Sequence, residues 1–245
     1  MVQNSTIAEN IDHVRETIAT ACARAGRSED DVRLVAVSKK KPVSDVLAAV
    51  AAGVYDFGEN RVEEALTKIP QVEQQVERMP TWHMIGHIQS RKARDVVSLF
   101  THVHSLDSLK LAKRLSGLAE QENKTLNVLL EVNISGEAGK YGFEAFDWDK
   151  SSQVHDALWQ DIRQVMALPA LNIIGLMTMA PFVDDAEEAR PVFAGLAGLR
   201  DALAESLAVS LPHLSMGMTN DYPVAIEEGA TMVRVGTAIF GARTV

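Results

Sequence analysis

The sequence predicts an α/β fold, a single (β/α)8 barrel of TIM type with an extra amino-terminal helix closing its outer ring. Three features carry that expectation. Eight apolar, strand-like runs alternate with segments of helical period, the pattern of parallel strands joined by helical crossovers. The 245 residues suit a barrel built as one unit, so one domain is expected to span 1–245. An amphipathic helix precedes the first strand, while little chain follows the eighth.

Taken in order, the opening segment 1–26 has no basic flank before an apolar core and carries its acids early and Arg24 late. It reads as a dipole-matched helix rather than an export leader. The first strand is placed at 33–39 (RLVAVSK), and Pro42 opens a helix over 43–52. Strands follow at 55–60 (YDFGEN), 81–86 (TWHMIG) and 102–107 (HVHSLD), and a helix over 108–122 starts after Asp107. The fifth strand, 127–134 (NVLLEVNI), leads through the longest irregular connection, 136–152, into a helix over 151–168. Strand six, 172–179 (NIIGLMTM), is followed by Pro181 and a helix over 184–207. Strands seven and eight are 213–218 (HLSMGM) and 232–241 (MVRVGTAIFG). No outer helix is expected after the eighth, and the amino-terminal helix is expected to take its place. An open doubly wound sheet is the competing architecture, but it usually carries a Gly-rich turn after its first strand, and here that turn is SKKKP.

Apolar residues make up 47% and charged residues 23%, enough for a core that needs no staple. The formal charge of -9 argues against a clustered basic face, so no nucleic-acid partner is expected, and a bound phosphate must be captured locally. Cys22 is the only cysteine, which rules out an intrachain disulfide and suits a reducing, cytoplasmic setting. Polar residues break every apolar stretch before the roughly 20 residues a membrane span needs, so no membrane partner is expected.

In parallel barrels the working residues sit at the carboxyl ends of the strands. Strand one ends in Ser38-Lys39-Lys40-Lys41. That places an ammonium at the barrel mouth, where a neighbouring cation favours the neutral amine that attacks a carbonyl to form a Schiff base. A solvated basic turn is the alternative. Alternation does not choose among the three lysines, because both faces of a barrel strand are apolar. At the end of strand seven stands Ser215-Met216-Gly217-Met218-Thr219, and Arg234-Val235-Gly236-Thr237 follows after strand eight begins. Small residues there let backbone N–H groups approach an anion, and hydroxyls donate further bonds; plain turns are the alternative. Together the two clusters describe a site for a phosphorylated carbonyl compound. The i, i+4 pair His83 and His87 lies in a strand-like segment with no glutamate after His83, so no metal site is expected, and GxGxxG and GxxxxGK[ST] are absent.

The segments AVSKKKP, FGENRVEEA, WHMIGHIQSRKA, LLEVNISGEAGKYGF, IIGLMTMAP and LSMGMTNDYPVAIEEGATMVRVGTAIFGAR resemble, in order and over nearly the whole chain, the pyridoxal phosphate homeostasis proteins. Their fold is like the barrel domain of alanine racemase. The resemblance implies pyridoxal 5′-phosphate held as a Schiff base on Lys39. It implies phosphate contacts at Ser215, Gly236 and Thr237 and along the backbone around Gly217 and Met218, with Arg234 facing the pyridine nitrogen. An arginine there keeps that nitrogen unprotonated and the ring a weak electron sink. Asn60, His83 and Met177, which end strands two, three and six, are expected to line the pocket beside the ring. Lys40, His87 and Arg91 depart from the family pattern.

The implied role is a cytoplasmic, monomeric vitamin B6 carrier that acts in homeostasis, with apo-enzymes as transient clients and no catalytic residue of its own. The alternative is an enzyme, either a pyridoxal-phosphate-dependent amino-acid racemase or a Schiff-base aldolase. Against the racemase, Tyr55, Tyr141 and Tyr222 are the only tyrosines. The β-rich domain that supplies the second base in alanine racemases is not expected here.

Overall fold

The computed structural model describes residues 5–242. The chain opens with α1 (Ile7–Arg24), whose start is closed by a capping box: Glu9 N–H donates to Thr6 Oγ1, and Thr6 N–H donates back to the Glu9 carboxylate. Eight strands then form the barrel: β1 (Arg33–Val37), β2 (Asp56–Glu59), β3 (Thr81–Met84), β4 (His102–Leu106), β5 (Leu126–Asn133), β7 (Leu171–Met177), β8 (His213–Ser215) and β9 (Met232–Val235). Each is parallel to its neighbours, and the pairings β4–β5 and β1–β9 close the sheet on itself. The outer layer holds α2 (Val43–Ala51), α3 (Val62–Glu73), α4 (Ala93–Leu99), α5 (Leu109–Gln121), α6 (Ser152–Met166), α7 (Arg190–Leu207) and α8 (Tyr222–Glu227).

All eight expected strands are present, with shifted ends. The helix α1 packs against both α8 and α2, so it fills the outer-ring place after β9 as its position in the sequence implies. Two local expectations are corrected. The stretch 232–241 is not one strand: β9 stops at Val235, Gly236 turns the chain, and Thr237–Phe240 forms a one-turn helix, α9. A short apolar run such as TAIF fits either period, so the break was not marked by its pattern. The connection 136–152 also contains a two-residue strand, β6 (Phe143–Glu144), beside β5.

The main apolar core is the ring between strands and helices. Phe57, Trp82, Met84 and Val103, on outward rows of their strands, belong to it together with Ile11, Val14 and Ile18 of α1. The lumen differs: Leu129, Met177 and Met232 make a small separate apolar cluster, and polar side chains occupy much of the rest.

Candidate functional site

The turn after β1 gives the three lysines different tasks. Lys40 adopts φ 60, and its N–H donates to Glu64 Oε1 at 2.6 Å. Lys41 Nζ donates to the carbonyls of Phe240, Gly241 and Ala242 at 2.6, 3.2 and 3.2 Å, which ties the turn to the end of α9. Lys39 continues the inward row of Val35 and Val37 and lines a cavity of about 420 Å³ at the carboxyl ends of the strands. Buried Lys68 of α3 braces this turn. Its Nζ donates to Ser38 O (2.7 Å), Glu59 Oε1 (2.8 Å) and Glu64 Oε1 (2.5 Å), and Ser38 Oγ–H donates to Glu59 as well (2.7 Å). Burial pushes the Glu59 carboxyl above its ordinary range, with Lys68 opposing.

The cavity has the size of a small-cofactor site. Of the residues singled out in the sequence, Lys39, Asn60, Met218, Arg234, Gly236 and Thr237 line it. Asn60 Oδ1 is buried and has no hydrogen-bond partner among the described residues, an acceptor suited to a ligand donor. At Gly236 a Cβ would stand 3.3 Å from both Cβ and O of Val37, so glycine keeps the wall close to β1. Gly217 shapes the site from behind. Its φ is 89, its carbonyl accepts from Arg234 N–H at 3.0 Å, and a Cβ would meet Ala225 Cβ at 2.7 Å and Tyr222 Cα at 2.9 Å. Asp221 Oδ1 accepts from Met218 N–H at 2.6 Å, closing the turn that carries Met218. Burial raises the Asp221 carboxyl above its ordinary range.

Three expected pocket residues lie below the cavity and do not line it. Ser215 was expected to hold phosphate, but its hydroxyl accepts from Arg234 at 2.5 Å and lies 2.8 Å from His104 Nδ1. His83 is fully buried between Asp56 and His104, at 2.9 Å from each. Met177 belongs to the apolar cluster of the lumen. The reason is a one-layer offset: β3 and β7 present Ile85 and Met179 to the cavity, each two residues further along the same inward row.

Arg234 is buried, with a second guanidinium N–H donating to Thr178 O at 2.9 Å. Burial brings its pKa down to about 10, against Glu131 and Asp221, so it stays charged at neutral pH. Sequence reasoning missed Glu131, a buried carboxyl of β5, although a carboxylate inside the apolar run LLEVNI was the available signal. It missed Asp221 as well. His87, one of the departures, stands 2.9 Å from Asp107 Oδ2 and stacks on Tyr141 at 3.8 Å, linking the turn after β3 to the long connection.

A closed parallel barrel with a cavity at its strand ends, entered by a lysine from β1 and walled by small-residue turns after β8 and β9, defines the alanine-racemase class of barrels. The model of the family described as "Alanine racemase, N-terminal domain" matches residues 7–244, and within it this chain belongs to the pyridoxal phosphate homeostasis proteins. The homeostasis protein of Pseudomonas aeruginosa is 45% identical over 240 residues, covering 98% of this chain and 96% of its own. That of Aquifex aeolicus is 39% identical over 235 residues, covering 96% and 97%. PipY of Synechococcus elongatus, solved with PLP bound, is 34% identical with a TM-score of 0.81, covering 96% of this chain and 100% of that chain. An alanine racemase of Clostridium difficile, 15% identical with a TM-score of 0.72, matches 97% of this chain but 56% of its own, a likeness of fold alone.

Proposed function

We propose that this protein binds pyridoxal 5′-phosphate as a Schiff base on Lys39 and serves vitamin B6 homeostasis as a cytoplasmic, monomeric carrier that passes the cofactor to apo-enzymes. One observation carries this reading: Lys39, Arg234 and the small-residue turns at Met218 and Gly236-Thr237 line one cavity of about 420 Å³. Close relatives that carry the homeostasis name, and PipY with PLP bound, support the same ligand.

When bound, the cofactor supplies an aldehyde that condenses reversibly with an amine. Lys39 is that amine, held by the braced turn on either side of it. The backbone at Met218, Gly236 and Thr237, with the Thr237 hydroxyl, would receive the phosphate. Arg234, charged at neutral pH, would face the ring nitrogen, and a cation there would disfavour protonation of that nitrogen and leave the ring a weak electron sink. Among the described residues no tyrosine or histidine lines the cavity: Tyr55 lies under Arg78, Tyr141 stacks on His87, and Tyr222 is buried in α8. The one carboxyl among the described residues that lines the cavity, Asp221, accepts from Met218 N–H at 2.6 Å and is held in the turn, so a second base opposite the lysine, as racemisation requires, has no tyrosine or histidine to serve it, which favours a holder over a racemase. No described helix is long and apolar enough to cross a membrane.

Reductive trapping with borohydride followed by mass spectrometry tests the reading. The expected result is a vitamin-derived adduct on Lys39, with both the adduct and the yellow absorbance lost in Lys39→Ala. A colourless protein that gains no band on adding the cofactor would refute it. A sugar-phosphate adduct would instead indicate an aldolase, and exchange of amino-acid α-protons at an enzyme-like rate a racemase.

A further inference from the structure

A single run of hydrogen bonds crosses the lumen from its floor to the cavity wall. Arg234 donates to Ser215 Oγ at 2.5 Å, Ser215 Oγ lies 2.8 Å from His104 Nδ1, His104 Nε2 lies 2.9 Å from His83 Nδ1, and His83 Nε2 lies 2.9 Å from Asp56 Oδ1. Arg33 stands 3.6 Å from the same Asp56 oxygen. The five residues come from β9, β8, β4, β3 and β2. Because β4 and β8 are not neighbours in the sheet, the contact between His104 and Ser215 has to span the interior. Ser215, His104 and His83 are fully buried, while the Asp56 side chain is 24% exposed at the amino-end face.

Burial pushes both imidazoles below their ordinary range, so they are neutral. At Asp56 burial acts upward, but the bond from His83, with the neighbouring imidazoles of His83 and His102 and the charge of Arg33, outweighs it, so the carboxyl is ionised. Only one arrangement of protons then satisfies every link. Asp56 has no proton to give, so His83 donates from Nε2 and its Nδ1 is bare. His104 must donate from Nε2 to that nitrogen, which leaves its own Nδ1 bare to accept from Ser215 O–H. The Ser215 lone pairs then receive Arg234. Run the other way, a bare His83 Nε2 would face a carboxylate.

We infer that Asp56, His83, His104 and Ser215 form a directed positioning chain that fixes the Arg234 guanidinium from below. A carboxylate at the amino-end face of the barrel thereby orients a wall residue of the cavity at the opposite end. The inference rests on the proposed cofactor site only where ligand affinity is read. Without Asp56, His83 is free to carry its proton on either nitrogen, His104 follows, and the hydroxyl holding Arg234 loses its fixed direction.

The test uses the full-length protein labelled with nitrogen-15 at histidine, its signals assigned with His83→Gln and His104→Gln. In the wild type both rings are expected to show a protonated Nε2 and a bare Nδ1. In Asp56→Ala the signals of His104, which does not touch residue 56, should move, and added pyridoxal 5′-phosphate should bind about tenfold more weakly, the worth of one buried hydrogen bond. Asp56→Asn, whose amide oxygen still accepts from His83, should keep both tautomers and most of the affinity. A wild-type ring protonated at Nδ1 overturns the inference, and so does an Asp56→Ala protein in which either His104 or the affinity is unmoved. The nitrogen signals need no cofactor. A wild type that binds none therefore sinks the functional reading separately, and the wild-type tautomers decide the direction of the chain even if Asp56→Ala fails to fold.

Discussion

At Glu131 a carboxyl is 4% exposed within β5, with Oε2 unpartnered among the described residues. Burial, then the charge of Asp107, pushes its pKa from the ordinary 4.5 up to about 7, against the pull of Arg234. For an acid whose folded pKa is raised, the native state keeps a proton that the unfolded chain releases. Stability therefore falls as pH rises from 4.5 to about 7 and stays lower above. Glu131→Gln, which keeps the shape and removes the titration, should raise stability at pH 8 by roughly 2–3 kcal/mol and by much less at pH 5. Urea midpoints at the two pH values check this, and an equal gain at both would contradict it. The sequence displayed that buried carboxylate plainly, but not the closure that surrounds it with Asp107 and Arg234. The same gap hid the chain beneath Arg234. His83 lies 21 residues from His104, and His104 lies 111 from Ser215, so each is legible as a buried strand residue while their meeting depends on which strands face across the lumen.

At the level of elements, the turn from β8 into α8 works because residue 217 has no side chain. Gly217 combines positive φ with the close approach of Tyr222 and Ala225, whereas Gly26 has positive φ, 66, with nothing within 4 Å of a would-be Cβ. Gly26→Ala should therefore cost only the conformational penalty, about 1 kcal/mol. Gly217→Ala must also displace α8 and should cost about 2–4 kcal/mol. It should also weaken cofactor binding, because Met218 moves with the turn. Chemical denaturation of both variants separates the two effects, and equal losses would show that α8 yields freely. Most of this architecture was legible, since alternating strand runs and amphipathic helices repeat from 33 onward. What was not legible lies at element ends. Nothing in TAIF marks α9 as a helix, a two-residue strand such as β6 has no period, and alternation does not say which layer of an inward row faces the cavity: Ile85 and Met179 do, one layer beyond His83 and Met177.

For the molecule as a whole, closure brings the first helix against the last elements described, α8 and α9. The face of α1 carrying Ile11, Val14, Ile18, Ala21 and Cys22 is buried where it packs on α2, α8 and α9. Asn10 Nδ2 donates to Ile239 O at 2.8 Å and Arg27 to Ile226 O at 2.8 Å. In a closed barrel every strand has two partners, so loosening one place on the ring removes support from both neighbours and, through them, from the rest. If residues 1–245 form one cooperative unit, damage at α1 must be felt at the far side. The tryptophans report from there: Trp82 packs on Phe57 in β3 and β2, and Trp148 stacks on Trp159 of α6, none of them in the helices that α1 touches. Ile11→Ala, which empties a fully buried site, should cost about 2–4 kcal/mol. The loss should appear equally in the tryptophan fluorescence and far-ultraviolet circular dichroism unfolding curves, measured in urea. A fluorescence midpoint that stays in place while the dichroism curve shifts would mean that the barrel unfolds in parts, and that its ring is not the cooperative unit its closure implies.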